Sequence, residues 1–264
     1  MAAHPESRFL RPGKVIALLV LALLVYAVAL VVWVPAGWAW HMGRGAIELP
    51  PGVQVERVSG QLWNGAIQGQ VMGHSVQAGW QLEGLFADGG FLPLSWQLQT
   101  PASRLEGALL VTGRKSGKVS ARGRINVAEF SREIRRSGGA MIDGDISVDR
   151  LNAALKDGRL TELAGLATWP GGEVSWPQGG GRQSATLPPM QARLVRDPGA
   201  GQVDLLISSA SSPDPVIAAT LQPDGMMRIE LFKRMLDMVN QPWSGSASPG
   251  DVVFSVRQRV LPAG

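Results

Sequence analysis

The chain has no cysteine, and only three of its 264 residues are histidine and one is tyrosine. The absence of cysteine excludes disulfides, thiolate metal sites and cysteine nucleophiles. The histidines, His4, His41 and His74, form no pair at metal-ligand spacing. No P-loop, dinucleotide-binding glycine motif or G-x-S-x-G elbow occurs. We therefore expect no catalytic residue, no metal site and no cofactor, and predict that the protein is not an enzyme.

An excess of positive charge is confined to the first 14 residues. Arg8, Arg11 and Lys14 stand there against the single acid Glu6. The remainder holds 22 basic residues (25 less 3) and 20 acidic residues (21 less 1). Because this remainder is nearly balanced, the sequence pI of about 9.9 does not imply a nucleic-acid partner.

The longest apolar run extends from Val15 to Val34. At about 1.5 Å per helical residue it is about 30 Å long, the thickness of a bilayer's hydrocarbon core. Basic residues beside a first span hold that side in the cytoplasm, so the pattern predicts a single-pass anchor in a bacterial inner membrane and a periplasmic main domain. Trp33, Trp38 and Trp40 cluster at the predicted bilayer exit. A signal peptide cleaved after the small residues at 27–29 is the alternative.

The composition after the anchor favours turns and short strands, since the chain has 33 glycines and 18 prolines. We predict a cytoplasmic tail (1–14), a transmembrane anchor (15–34), a juxtamembrane linker (35–52), a β-rich periplasmic domain (53–243) and a loose C-terminal tail (244–264). The fold class is mainly β: one N-terminal transmembrane helix, then a curved antiparallel sheet with one or two short helices. About 230 residues suffice for one sizeable domain.

The first predicted element of that domain is a hairpin. Residues 53–56 alternate apolar and polar, and Asn64-Gly65 suits a two-residue turn before a returning strand at 67–71. Further on, Asn126 is a predicted helix cap with Glu129 as its capping-box partner, and the helix should end near 137–139. A second short helix is predicted within 228–240.

A weak repeat marks a candidate apolar face. Gly79-Trp80-Gln81-Leu82 recurs as Ser95-Trp96-Gln97-Leu98. Residues two apart in a strand share a face, so Trp80, Leu82, Trp96 and Leu98 should lie together. Core packing of two neighbouring strands is one interpretation, and a face left open to a ligand or partner is the other.

The basic tail, single anchor, Leu-Pro-Pro-Gly entry and the run Val58-Ser59-Gly60-Gln61-Leu62-Trp63-Asn64-Gly65 together resemble the type II secretion system protein N (GspN) family. Later motifs at 79–82, 105–107 and 165–169 follow the family's order. Carried over by position, Gly60, Leu62, Trp63 and Gly65 match its structural signature. The resemblance implies a bitopic inner-membrane component of the machine that exports folded proteins across the outer membrane.

The partners that this resemblance implies are other inner- or outer-membrane secretion components, with membrane lipid contacted through the anchor. We expect docking at exposed strand edges, because an unpaired edge accepts a partner's strand. The glycine-spaced strands are also similar to those of AsmA and TamB proteins, which hold lipid in a β groove. A groove that bridges two membranes needs many more strands than this length provides, at about 4.8 Å per strand, although a short groove remains open as the alternative function.

Overall fold

The computed structural model describes residues 16, 18–26, 33–45, 49, 52–87, 89–136, 140–178 and 181–260. Within these residues the chain forms a 14-stranded antiparallel sheet, a three-stranded antiparallel sheet and a few short helices. The prediction of a mainly β, antiparallel protein is therefore confirmed.

The strands of the large sheet follow one another along the chain in an almost uninterrupted meander. Its first half contains β1 (Val53–Gln61), β2 (Asn64–Val71), β3 (His74–Leu82), β4 (Phe86–Ala87), β5 (Gly90–Gln99), β6 (Arg104–Gly113) and β7 (Ser116–Asn126). The chain continues with β8 (Met141–Ile142), β9 (Asp145–Lys156), β10 (Arg159–Trp169), β11 (Gly172–Gln178), β12 (Gly181–Leu187), β13 (Met190–Arg196), β14 (Val203–Ser209), β15 (Pro215–Leu221), β16 (Met226–Phe232) and β17 (Val252–Arg259).

Strand order in the large sheet is β1-β2-β3-β5-β6-β7-β9-β10-β13-β14-β15-β16-β17, and the short β4 pairs with β5. β8, β11 and β12 leave this order and form the three-stranded sheet, with β11 in its centre. Among the described residues, β1 and β17 each pair along one side only. The large sheet thus has two ends.

Three short helices accompany the sheets in the described residues after position 33. α1 (Ala36–Gly43) precedes β1, α2 (Ser131–Arg136) follows a 3-10 turn at Val127–Phe130, and α3 (Lys233–Met238) follows β16. The last two occupy the predicted helical regions, whereas α1 lies in the stretch predicted as a linker. β16 also takes the first part of the region predicted as the second helix.

Several sequence predictions fall outside the described residues. These are the tail at 1–14, residues 15, 17 and 27–32 of the predicted anchor, the helix end at 137–139 and residues 261–264. Residues 18–26 are helical and exposed. In the part of the chain that is described, no helix has both the length and the apolar character needed to cross a membrane.

Two local expectations are wrong. The first hairpin is present, but its turn is Leu62-Trp63, because Gly60 pairs with Gly65 and Gln61 pairs with Asn64. Gly60 has a positive φ of +84° in β1, two residues before this turn, and Asn64 belongs to β2. The C-terminal tail is also not loose throughout, since residues 252–259 form β17 along β16.

The packed core lies in the second half of the molecule. Trp169, Val174, Leu187, Met190 and Val216 form its fully buried centre. Partly buried residues of α3 and the small sheet pack around them, including Ile142, Trp176, Met235 and Met238. The small sheet and α3 therefore cover the region of β10, β13 and β15.

Candidate functional site

One face of the large sheet is apolar along its whole width. A row of directly paired residues crosses all thirteen strands of the main order without one polar side chain. Its members are Gly60, Gly65, Trp80, Trp96, Gly107, Ala121, Leu151, Gly165, Leu194, Leu205, Ala219, Ile229 and Val256. Paired residues share a face, so these side chains lie on one side of the sheet.

A second, parallel row on the same side is equally apolar. It contains Val58, Ile67, Ala78, Leu98, Leu105, Gly123, Val148, Ala167, Ala192, Ile207, Ile217, Leu231 and Phe254. Leu82 begins a third, shorter row through Leu94, Leu109 and Val119. We call this side the apolar face; all four residues of the predicted face, Trp80, Leu82, Trp96 and Leu98, lie on it.

The two tryptophans are seated over glycines. Trp80 of β3 and Trp96 of β5 pair with each other. Trp80 also pairs with Gly65 of β2, and Trp96 also pairs with Gly107 of β6. A β-carbon at Gly107 would lie 2.7 Å from Cζ2 of Trp96, and one at Gly65 would overlap the Trp80 ring. Trp80 Nε1 also donates a hydrogen bond of 2.8 Å to the Leu62 carbonyl. These contacts fix the indole rings flat against the strands.

The apolar face has no fully buried residue over its first half. Among the described residues, none in β1 to β7 is fully buried, and the 3-10 turn and α2 contact the face at His74. Over the second half, in contrast, part of this face contributes Trp169 and Met190 to the core. The exposed part of the apolar face is thus continuous with a true core.

The opposite side of the sheet is polar, and we call it the polar face. A groove of about 880 Å³ runs over it across β1 to β9. Polar side chains such as Gln81, Gln97, Glu106 and Arg122 line it, and Arg122 binds Glu106 at 2.8 Å. None of the groove's lining residues is a histidine. The groove therefore offers hydrogen bonds and charge, without an imidazole base for catalysis.

The two ends of the sheet differ in accessibility. At β1, Pro35 forms a bridge with Gln61, the Leu62 amide donates to Val34 at 3.0 Å, and α1 packs alongside. β17 has β16 on one side and no strand on the other among the described residues. Phe254 of β17 is 58% exposed. Among the described residues, the free edge of the large sheet is therefore β17.

A polar cluster fastens the 3-10 turn and α2 to the sheet. Asn126 caps the turn by accepting from Ala128, as predicted, but its own amide donates to Ser103 Oγ and not to Glu129. Glu129 accepts instead from Thr100 at 2.5 Å, from the Ala102 amide at 2.7 Å and from Ser103. Burial raises the pKa of Glu129, yet these hydrogen bonds together lower it below its ordinary value.

His74 belongs to the same junction. Its Nε2 lies 3.4 Å from a carboxylate oxygen of Glu133 in α2, and its ring contacts Phe130 at 5.7 Å between centroids. No group of three or more His, Asp or Glu side chains in the described ranges is arranged to hold a metal ion. The histidine thus takes part in fastening α2 and in no site of recognisable chemistry.

The residues of the predicted structural signature lie together at the first hairpin. Gly60 and Gly65 are paired, and Leu62 and Trp63 form the turn between them. Trp63 accepts a backbone hydrogen bond from Leu82 at 2.6 Å, and Leu62 is 41% exposed. Sequence reasoning did not identify β17 or the polar-face groove, although the alternation of the apolar Phe254 and Val256 with the polar Ser255 and Arg257 was a visible signal for a strand.

Comparison with known proteins identifies no relative: no family model, no curated protein and no solved structure matches the chain. The fold and the surfaces described above therefore define the class of protein, a mainly β protein whose large sheet, in the described residues, has one apolar face and a free edge at β17.

Proposed function

We propose that this protein is an accessory component of the type II secretion machine, held in the bacterial inner membrane by residues 15–34, that acts by docking on other secretion proteins. The resemblance of residues 58–65 and of the later glycine-rich motifs to the GspN family supports the choice of machine. The observation that carries docking as the mode of action is the free edge of β17.

A free edge presents a row of N–H and C=O groups that a partner's strand completes. Phe254 and Val256 lie on the apolar face of β17, while Arg257 and Arg259 lie on the polar face. Neither arginine forms a salt bridge within the described residues. The edge therefore fits an extended segment in which apolar residues alternate with acidic ones.

A second copy of the chain fits this edge less well. β17 has two arginines and no acidic residue, so pairing β17 with itself would bring like charges onto one strip of the polar face. This charge pattern favours a different protein as the partner.

The test is copurification from cells that contain the whole secretion system. In β17, neighbouring residues direct their N–H groups alternately towards β16 and towards the free edge. Of the two variants Ser255→Pro and Val256→Pro, one therefore removes an N–H at the free edge and leaves the hydrogen bonds with β16 intact. We expect that variant to lose its secretion partner and to keep its unfolding midpoint. The matched control is Glu56→Pro, at the irregular pairing of β1 on the other side of the sheet. Unchanged copurification with both β17 prolines would contradict docking at this edge.

The apolar face favours a second candidate function, the binding of lipid acyl chains in the manner of AsmA and TamB proteins. Two uninterrupted apolar rows cross thirteen strands, a width of about 60 Å at about 4.8 Å per strand. Over about half of that width, in β1 to β7, no described residue is fully buried. Monomeric proteins rarely expose an apolar patch of such extent, so it marks a ligand or partner surface.

A further inference from the structure

The turns at one end of the sheet carry a surface that the docking edge does not explain. We call it the anchor end: β1, β3, β6 and β9 finish there, and β2, β5, β7 and β10 begin there. Residues 34 and 35 contact Leu62 and Gln61 at this end. The chain that follows the proposed anchor therefore enters the domain at the anchor end.

Large apolar side chains are exposed in the two turns nearest that entry. Leu62 is exposed in the β1–β2 turn. In the β4–β5 hairpin, Phe86 is 83% exposed and Leu85 is 60% exposed, and Phe91 and Leu92 lie beside them. Phe86 and Phe91 form a cross-strand pair, and the outer surface of this hairpin is left to solvent. These side chains are suited to insertion into an apolar phase.

The next two turns along the same end are basic. Arg114 and Lys115 lie in the β6–β7 turn, and Lys156 and Arg159 flank the β9–β10 turn, with Asp157 as the one acid between them. All four basic residues are exposed, and none forms a salt bridge among the described residues. The turns are tied together, because the Gly158 amide donates to the Lys115 carbonyl at 2.8 Å.

These four turns stand in one line. Each lies two strands from the next, so successive turns are about 10 Å apart. Apolar tips followed by a basic strip match the two layers of a bilayer surface, in which anionic headgroups attract Lys and Arg and the acyl region accepts Phe and Leu.

We propose that the anchor end rests on the bilayer surface, with the β4–β5 hairpin inserted at the headgroup level and Arg114, Lys115, Lys156 and Arg159 bound to anionic lipid. The strands would then stand end-on to the membrane and leave β17 and both faces accessible. This inference rests on the membrane anchor of the proposed function and adds a second, peripheral contact.

The experiment uses the full chain in vesicles with an environment-sensitive fluorophore on a single introduced cysteine, since the protein has no cysteine of its own. Ala87→Cys places the label in the hairpin, and Ala102→Cys places it in the exposed β5–β6 turn at the opposite end. Vesicles contain phosphatidylcholine with or without 30% phosphatidylglycerol, about a third of the lipid as anionic headgroup, and their acyl chains are brominated to quench an inserted label.

We expect quenching of the label at position 87 at least about twofold stronger than at position 102. The Arg114→Glu, Lys115→Glu double variant should lower quenching in anionic vesicles and leave it unchanged in phosphatidylcholine, because only the first surface attracts the cations. Equal quenching at both positions would overturn the proposal. So would a spectral shift at position 87 that requires added secretion proteins, which would assign the hairpin to a protein partner.

An alkaline wash of the same vesicles reports the anchor separately. A chain that stays in the membrane with an unquenched label at position 87 overturns the surface contact alone. A chain that is washed off, whatever its label shows at neutral pH, overturns the anchor of the proposed function.

Discussion

Gly107 shows how single residues shape the apolar face. A β-carbon there would overlap the Ser120 carbonyl and press on Trp96, so the glycine leaves the space that the indole fills. We expect Gly107→Ala to destabilise the protein by about 1–3 kcal/mol through overpacking. Gly113→Ala is the matched control, because its nearest neighbour, Ser116 Cβ, is 3.4 Å away, and it should change stability by less than about 1 kcal/mol.

Chemical unfolding of the full chain, followed by tryptophan fluorescence, measures both variants. Equal loss of stability in the two would mean that position 107 is no more tightly packed than position 113. A loss confined to Gly107→Ala would support the close packing of this position, and a smaller loss in the Gly107→Ala, Trp96→Ala double variant, measured relative to Trp96→Ala alone, would identify the ring as one source of the strain beside the Ser120 carbonyl.

At the scale of elements, the junction of the 3-10 turn and α2 with the sheet should depend on pH. Glu129 has a lowered pKa because hydrogen bonds from Ser103, Thr100 and Ala102 outweigh its desolvation. A depressed carboxyl pKa stabilises the fold above the unfolded value, about 4.3, and that stability is lost as pH falls through the folded pKa. The stability gap between the native chain and Glu129→Gln should therefore be largest at neutral pH and close below about pH 4.

Denaturant unfolding at a series of pH values measures this gap. Glu162→Gln, at an exposed position on β10 without a hydrogen bond among the described residues, reports the effect of losing one surface carboxylate. If Glu129→Gln and Glu162→Gln showed the same pH profile, the polar junction would not contribute to stability.

The elements that sequence patterning predicted well are those whose signal is local. The strands expected at 53–56 and 67–71 lie within β1 and β2, because the apolar-polar alternation of 53–56 and the turn signal before 67–71 are visible within a few residues. The first turn was placed two residues late, since Asn64-Gly65 suits a tight turn but belongs to β2. β17 was missed because residues 244–250, rich in Ser, Gly and Pro, precede it and resemble the start of a tail.

Only part of the candidate site could be predicted. Trp80 and Leu82 share a face by period alone, and so do Trp96 and Leu98. Whether they belong to rows that cross thirteen strands depends on the register of each strand pair. That register is set by the turns and by irregular pairings. In β9, for example, an irregularity carries the rows from Leu151 to Val148, three residues instead of two. Such shifts leave no mark in a single sequence.

The whole molecule combines one covered half of the apolar face with one largely uncovered half, which the 3-10 turn and α2 contact at His74. The small sheet and α3 bury Trp169, Met190 and Val216. In contrast, β1 to β7 have no fully buried residue in the described ranges. Burial of apolar area stabilises by about 25 cal/mol per Å², so the uncovered half would gain most from an occupant. The two candidate functions differ in what that occupant is, a lipid chain or a protein.

Crosslinking from two adjacent residues on opposite faces of one strand distinguishes a lipid occupant from a protein occupant. A photoreactive side chain at Trp96 lies on the apolar face, and the same group at Gln97 lies on the polar face of the same strand. If the face holds acyl chains, crosslinking in native membranes should yield lipid-sized mass additions at position 96 and few at position 97. The second position controls for lipid that is merely nearby. A discrete secretion protein crosslinked at 96 would instead exclude the lipid function and extend docking from the β17 edge to the apolar face.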